Sequence, residues 1–275
     1  MTSDDYKQRQ WVAGKPLVLE DTGVDLSILI TCYNEHDLIG DTLHTVLQAL
    51  KESGQRYEIL VIDDCSRDGS REVIQRFIDD HPGEPVSFYP NEFTRGLANN
   101  FIEGAFLARG KYYRLCCGDN PESKEGLVKL FSLAGRADLI LPYQNQEMVK
   151  GKSPLRRWLS KTFSAVVNLT SGYKIKYYNG SPIFLRYAIL RWPSITYGFG
   201  FQADLITRLL DEGVTFTQVP MENTIDRKGS DSTALSLRNL LSVTHTFLEI
   251  VFRRVRRVMY GGKEARAKEI NVTTQ

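Results

Sequence analysis

The stretches LSILITCYNE (Leu26–Glu35) and YEILVIDDCSRDG (Tyr57–Gly69) decide the fold. Leu26–Ile30 is a short β-branched run bounded by polar residues, and Tyr57–Ile62 repeats that design, so both predict buried strands. The segments that follow have the helical period: Asp37–Leu50 after the first loop, and Ser70–Asp79 after a turn at Asp63–Gly69. Further along, Val86–Tyr89 predicts a third strand, Leu97–Ala108 a helix and Tyr112–Cys116 a fourth strand. Strands alternating with helices predict an α/β fold with a mainly parallel central sheet covered on both faces. Beyond Asp138 the pattern is less regular, with helices expected at Pro154–Thr170 and Phe201–Glu212, a strand at Thr215–Val219 and a final helix from about Ala234.

The 275 residues are 42% hydrophobic and 25% charged, the composition of a folded enzyme of one large or two small domains. A net charge of +2 gives no argument for nucleic acid, although Arg253, Arg254, Arg256 and Arg257 crowd one short segment. Cys32, Cys65, Cys116 and Cys117 lack metal-ligand spacing and read as reduced, partly buried thiols. Met1–Gln10 is polar and acidic, unlike a signal peptide, so the chain is expected in the cytoplasm, where the sequons at Asn168 and Asn271 have no meaning. No stretch reaches the roughly 18 consecutive apolar residues of a membrane span.

In a parallel sheet, ligands bind outside the carboxyl ends of the strands, so the loops starting at Thr31, Asp63 and Cys117 should line one crevice. The first offers Tyr33, Asn34 and Glu35: a ring for stacking, an amide and a carboxylate. The second places Asp63 and Asp64 together, one to accept from a uracil imide or a ribose hydroxyl, the other to support the turn. Taken singly, either loop also reads as a polar turn with a helix cap at Asp37 or Ser70.

Together, Ile28–Glu35 and Leu60–Gly69 resemble the opening of family-two glycosyltransferases, with Thr31 where that family has proline. The resemblance implies the GT-A fold, a nucleotide-sugar donor held by Thr31, Tyr33, Asn34, Glu35, Asp63 and Asp64, and a divalent metal, Mg2+ or Mn2+, on the donor diphosphate. The family's metal motif, Asp-x-Asp, appears as Cys117-Gly118-Asp119, leaving Asp119 and Asn120 as the expected ligands. One carboxylate suffices for a magnesium ion that keeps waters and takes substrate phosphates.

Past Asp138 the chain resembles the dolichyl- and polyprenyl-phosphate hexose synthases of that family. Arg156 and Ser160, one helical turn apart, match a helix that holds the acceptor phosphate. Phe199–Asp204 matches a segment whose acid begins a helix under the site, and Arg227 and Lys228 match a basic loop that closes on phosphates. An arginine often found near Tyr143 is absent, and Tyr177–Gly180 stands where those synthases have Asp-x-x-Ser-Gly. The expected reaction is inverting transfer of a sugar to a polyprenyl phosphate, with Asp119, Arg156 and Asp204 in catalytic positions. Two alternatives stay open: transfer to a sugar hydroxyl, with Asp204 as base, and a catalytically weak nucleotide-sugar binding protein.

The expected organisation is an N-terminal extension (1–24), a glycosyltransferase domain (25–232) and a C-terminal amphipathic, basic helix and tail (233–275). That helix predicts peripheral attachment to the inner membrane face through its arginines and apolar side; packing on the domain or on a second subunit of a homo-oligomer is the competing expectation.

Overall fold

The computed structural model describes residues 11–12, 15–16, 21–119, 122–144, 154–191, 200–221, 237–260 and 267–272. Two short strands, β1 (Trp11–Val12) and β2 (Lys15–Pro16), form an antiparallel pair ahead of the main sheet. The central strands come next: β3 (Leu26–Cys32), β4 (Tyr57–Asp63), β5 (Val86–Pro90) and β6 (Tyr112–Cys117). β7 (Leu139–Gln144), β8 (Ile183–Leu185), β9 (Thr215–Met221) and β10 (Lys268–Glu269) complete an eight-stranded sheet of order β10-β9-β7-β8-β6-β3-β4-β5. All pairings are parallel except those of β8, which runs antiparallel to both β6 and β7.

The core follows from the apolar runs. Leu26, Ile28, Leu29 and Ile30 of β3 are all fully buried, because helices cover both faces of the sheet. Each such side chain contributes roughly 1.5–3 kcal/mol of burial. Helix α1 (Ile39–Ser53) turns Ile39, Leu43, Val46, Leu47 and Leu50 inward, a stripe at helical spacing, and stops at Gly54 in the left-handed conformation (φ 73°). α2 (Ser70–Asp80) and α3 (Leu97–Leu107) follow β4 and β5, and α4 (Lys124–Phe131) packs beside α1. The expected strands and helices are present, with β3, β4 and β6 each running one or two residues further than the apolar runs suggested.

The C-terminal half holds α5 (Pro154–Ser171), α6 (Arg186–Arg191), α7 (Phe201–Asp211) and α8 (Leu237–Tyr260). α8 lies against both α5 and α7. Its Thr246 fills the space over Gly200, where any β-carbon would collide with it, so the glycine at the head of α7 permits the close approach. β10 then adds a strand beside β9. The segment expected as a separate tail is therefore fastened to the domain at two places.

Two of the four C-terminal arginines depart from the membrane-facing expectation. Arg253 Nη1 donates to Asp204 Oδ1 at 2.5 Å and Nη2 to Thr207 at 2.5 Å, while Arg254 Nη2 lies 3.0 Å from Asp211 Oδ1. Acids on α7 draw these guanidiniums inward, because a buried carboxylate requires a partner. Of the other two, Arg256 is exposed and the side chain of Arg257 lies outside the described residues.

Candidate active site at the carboxyl edge of the sheet

The register puts Thr31 beside Cys117 and Cys32 beside Asp63, so the ends of β6, β3 and β4 form one row. Backbone bonds continue past the strands: Asp64 N–H donates to Cys32 O (2.8 Å), Gly118 N–H to Thr31 O (2.9 Å) and Asn91 N–H to Asp63 O (2.8 Å). The three loops expected to share a crevice therefore do share one edge.

The first two loops are laced together. Asn34, in the left-handed region at φ 54°, accepts from Arg67 N–H at its Oδ1 (2.9 Å) and donates its own N–H to Ser66 Oγ (2.9 Å). Glu35 N–H donates to Ser70 Oγ (3.0 Å) and His36 N–H to Asp68 Oδ2 (3.0 Å). Asn34 thus serves the loop itself, while Glu35 is half-buried. The Tyr33 ring, 53% exposed, stands at the edge as a surface for a planar group.

The two adjacent acids divide the work. Asp64 accepts from Arg95 N–H (2.7 Å) and Asn91 Nδ2 (3.1 Å) at Oδ1 and from Gly96 N–H (2.9 Å) at Oδ2, which fixes the loop leading into α3. Burial raises its carboxyl, yet these hydrogen bonds outweigh that and hold it below the usual range. Asp63 is fully buried; its Oδ2 accepts from Arg71 Nε (2.6 Å) and Ser66 N–H (3.1 Å), whereas its Oδ1 has no hydrogen-bond partner. A buried acceptor without a donor needs an explanation, and a ligand N–H or O–H is of the right type.

The third loop is held from below. Gly118 fits against Thr31 O, where a β-carbon would come within 2.8 Å, and its own carbonyl accepts from Thr42 Oγ1 at 2.7 Å. Asp119 follows directly and is half-buried. Beneath it, the fully buried Arg114 donates to Glu122 (2.5 Å), to Ser181 O (3.0 Å) and to Cys116 Sγ (2.7 Å). It joins the Asp119 loop to the turn around Ser181 and was not foreseen. An arginine inside an apolar, buried strand was the available signal, since such a charge must find a partner.

Burial pushes the Cys116 thiol up to about 12, and burial with Asp119 and Glu122 nearby pushes Cys117 higher still. Cys117 is thus a neutral group where the related motif has an acid. Among the described residues, no cluster of three or more His, Cys, Asp or Glu side chains is arranged to hold a metal. The donor set fits Mg2+ or Mn2+ only in company with a diphosphate, with Asp119 as the protein carboxylate. Asn120 lies outside the described residues.

On the acceptor side, α5 carries Arg156 and Ser160 one turn apart; Ser160 is half-buried, and the Arg156 side chain lies outside the described residues, as do Arg227 and Lys228. Near Tyr143, where this chain lacks the arginine of the related synthases, Lys176 Nζ lies 2.9 Å from the tyrosine hydroxyl. Asp204 is expected in the catalytic set. It is 1% exposed, and its oxygens take Arg253 Nη1 (2.5 Å) and Arg208 Nε (3.0 Å), so it forms an internal ion pair that holds α8 on α7.

A mainly parallel sheet with helices on both faces and polar loops gathered at one carboxyl edge is the GT-A architecture. Residues 27–192, more than half of the chain, match the Glycosyl transferase family 2, and the chain belongs to that family. It is similar to a teichuronic acid biosynthesis glycosyltransferase of Bacillus subtilis strain 168, 30% identical over 42% of this chain and 40% of that protein. A second relative is the undecaprenyl-phosphate 4-deoxy-4-formamido-L-arabinose transferase of Pseudomonas savastanoi, 26% identical over 56% of this chain and 44% of that protein. The chain thus spans less than half the length of these relatives. Among solved structures, glucosyl-3-phosphoglycerate synthase from Mycobacterium tuberculosis in complex with UDP superposes with a TM-score of 0.61 at 12% identity, covering 90% of this chain and 84% of that one.

Proposed function

We propose that this chain transfers a sugar from a nucleoside diphosphate sugar to a polyprenyl phosphate at the cytoplasmic face of a membrane, with inversion at the anomeric carbon. The observation that carries the donor half is the buried, unpartnered Oδ1 of Asp63 at the end of β4, beside the β3 loop that carries the exposed Tyr33 ring. Tyr33 stacks the base, Asp63 accepts from its imide or from a ribose hydroxyl, and Thr31 and Glu35 complete the wall. The Mn2+ and UDP held by the mycobacterial synthase, and the undecaprenyl phosphate named for the Pseudomonas relative, support this donor and acceptor chemistry.

A phosphate monoester, with its second pKa near ~6, is largely dianionic at neutral pH and is itself the nucleophile, so no protein base is required. One of its oxygens attacks the anomeric carbon; the bond from that carbon to the donor phosphate oxygen breaks, and its electron pair leaves with the nucleoside diphosphate. Arg156, Ser160, Arg227 and Lys228 hold the acceptor phosphate and offset the repulsion between two anions. Asp119, with Asn120, would hold a divalent metal, whose charge would neutralise the departing diphosphate. Transfer to a sugar hydroxyl needs a base, and the pairing of Asp204 with two arginines weighs against that route.

The test is a transfer assay with a panel of nucleotide sugars, with and without polyprenyl phosphate. Formation of a lipid-linked phosphosugar only when lipid phosphate is present supports the proposal. Transfer to free sugars or glycans at a higher rate contradicts it.

A further inference from the structure

Among the described residues, eight of the twelve large apolar side chains that remain exposed lie on two helices, α5 and α8. On α8 they are Leu248, Phe252 (66% exposed), Val255, Met259 and Tyr260, of which the first four repeat along one stripe. The opposite side of that helix is satisfied by the domain: Thr246 and Ile250 are fully buried, and Arg253 and Arg254 meet acids of α7. On α5 the exposed set is Trp158, Val166 and Leu169, the last 87% exposed. α5 and α8 pack on each other, so the two helices that carry the unpartnered faces are neighbours.

The charge on these helices is one-sided. The sequence of α5 contains no acidic residue, and that of α8 contains one, Glu249, which lies 4.0 Å from His245. Lys161 on α5 and Arg256 on α8 are exposed alongside the apolar residues. A second copy of this chain would bring basic against basic with scarcely a carboxylate to answer it. An anionic lipid surface meets both features, taking the apolar side chains below the headgroups and the cations at their level, with Trp158 and Tyr260 of the type that favours that boundary.

We propose that α5 and α8 together form an interfacial platform for an anionic lipid bilayer. The platform deepens the reading of a polyprenyl phosphate acceptor, because α5 is the helix to which Arg156 and Ser160 belong, but its evidence is independent of that reading. Among the described residues no helix is long and apolar enough to cross a membrane, and an interfacial platform asks for none.

The test uses the full chain in co-sedimentation with vesicles of phosphatidylcholine alone and of phosphatidylcholine mixed with phosphatidylglycerol, at low and high salt. Binding is expected only to the mixed vesicles and to weaken with salt, and a brominated lipid should quench tryptophan fluorescence. Each basic side chain near such a surface is worth a factor of roughly five, so Lys161→Glu with Arg256→Glu should reduce partitioning roughly tenfold or more. Phe252→Glu should reduce it as well, while both variants keep the wild-type melting temperature and the wild-type rate on a detergent-dispersed, short-chain polyprenyl phosphate. Equal binding to both vesicle types, or no binding together with a dimer in sedimentation velocity that Phe252→Glu dissociates, overturns the platform. Vesicle binding in a protein that glycosylates no lipid phosphate leaves the platform standing and removes the acceptor reading instead.

Discussion

On the β3–β4 side of the sheet, loops are tied to each other mostly through backbone N–H groups that meet Ser66, Asp68, Ser70 and the Asn34 amide. On the side of α5, α7 and α8, charged side chains far apart in sequence hold whole helices together, as in the pairing of Asp204 with Arg253. The first arrangement fixes a small loop pair and leaves one acceptor, Asp63 Oδ1, without a protein donor. The second spends its acids on internal arginines and leaves its outer surface apolar and basic. A substitution on the donor side at a residue that does not tie the loops should therefore change ligand binding with little effect on folding, and one in the helix pairings should do the reverse.

The largest effect is expected where the second arrangement is cut. Arg253→Ala leaves the buried Asp204 carboxylate short of one of its two partners and should cost about 3–5 kcal/mol of unfolding free energy, whereas exposed Arg256→Ala should change it by about 0.5 kcal/mol or less. Urea denaturation of the two variants measures the contrast, and equal losses would erase it. On the donor side, Asp119→Ala should lower kcat by roughly 10²–10³-fold while the melting temperature stays near wild type. Near-normal turnover of this variant across Mg2+ and Mn2+ concentrations would remove Asp119 from the metal.

Arg156→Ala sharpens the boundary between the two sides. It should weaken the acceptor by about 1.5–3 kcal/mol, seen as a raised KM for lipid phosphate with donor KM unchanged. Equal losses for both substrates would place Arg156 elsewhere.

Much of this division was legible before the structure. The two loops of the donor side follow apolar runs with a clear change of period, so their placement at one edge could be read from Leu26–Glu35 and Tyr57–Gly69 alone. Which of Asp63 and Asp64 serves a ligand could not, because that depends on the N–H groups of Arg95 and Gly96, more than 30 residues away. β8 was missed because its three residues are too few to show a period, and its antiparallel course breaks the strand–helix alternation that revealed the rest. Arg253 and Arg254 looked like a surface cluster because the acids that claim them, Asp204 and Asp211, belong to another helix.

The smallest effect concerns pH. Burial raises Glu58, but Ser27 and Arg109 outweigh it and hold the carboxyl below its usual range, as Asp64 is held by its own hydrogen bonds. With the folded value below the unfolded one, the stability these groups contribute is complete above ordinary carboxylate values and is lost as pH falls through the folded ones. Urea midpoints should hold from neutral pH to about pH 5 and drop below about pH 4. Glu58→Gln should flatten that acid limb by about 1 kcal/mol, and an unchanged limb would show that other carboxylates govern it.

Whether the joined ends of β3, β4 and β6 bind the nucleotide of a sugar donor is read by calorimetric titration with UDP and GDP, with and without Mn2+. One of the two should bind in the presence of Mn2+ and far more weakly without it. Asp63→Ala should lose that binding and also lower the melting temperature, because it strips Arg71 and Ser66 N–H of their partner, while Asp64→Ala should lower the melting temperature with nucleotide binding retained. Nucleotide binding that is indifferent to both Mn2+ and Asp63→Ala, or absent from the wild-type protein, would contradict a donor site at these strand ends.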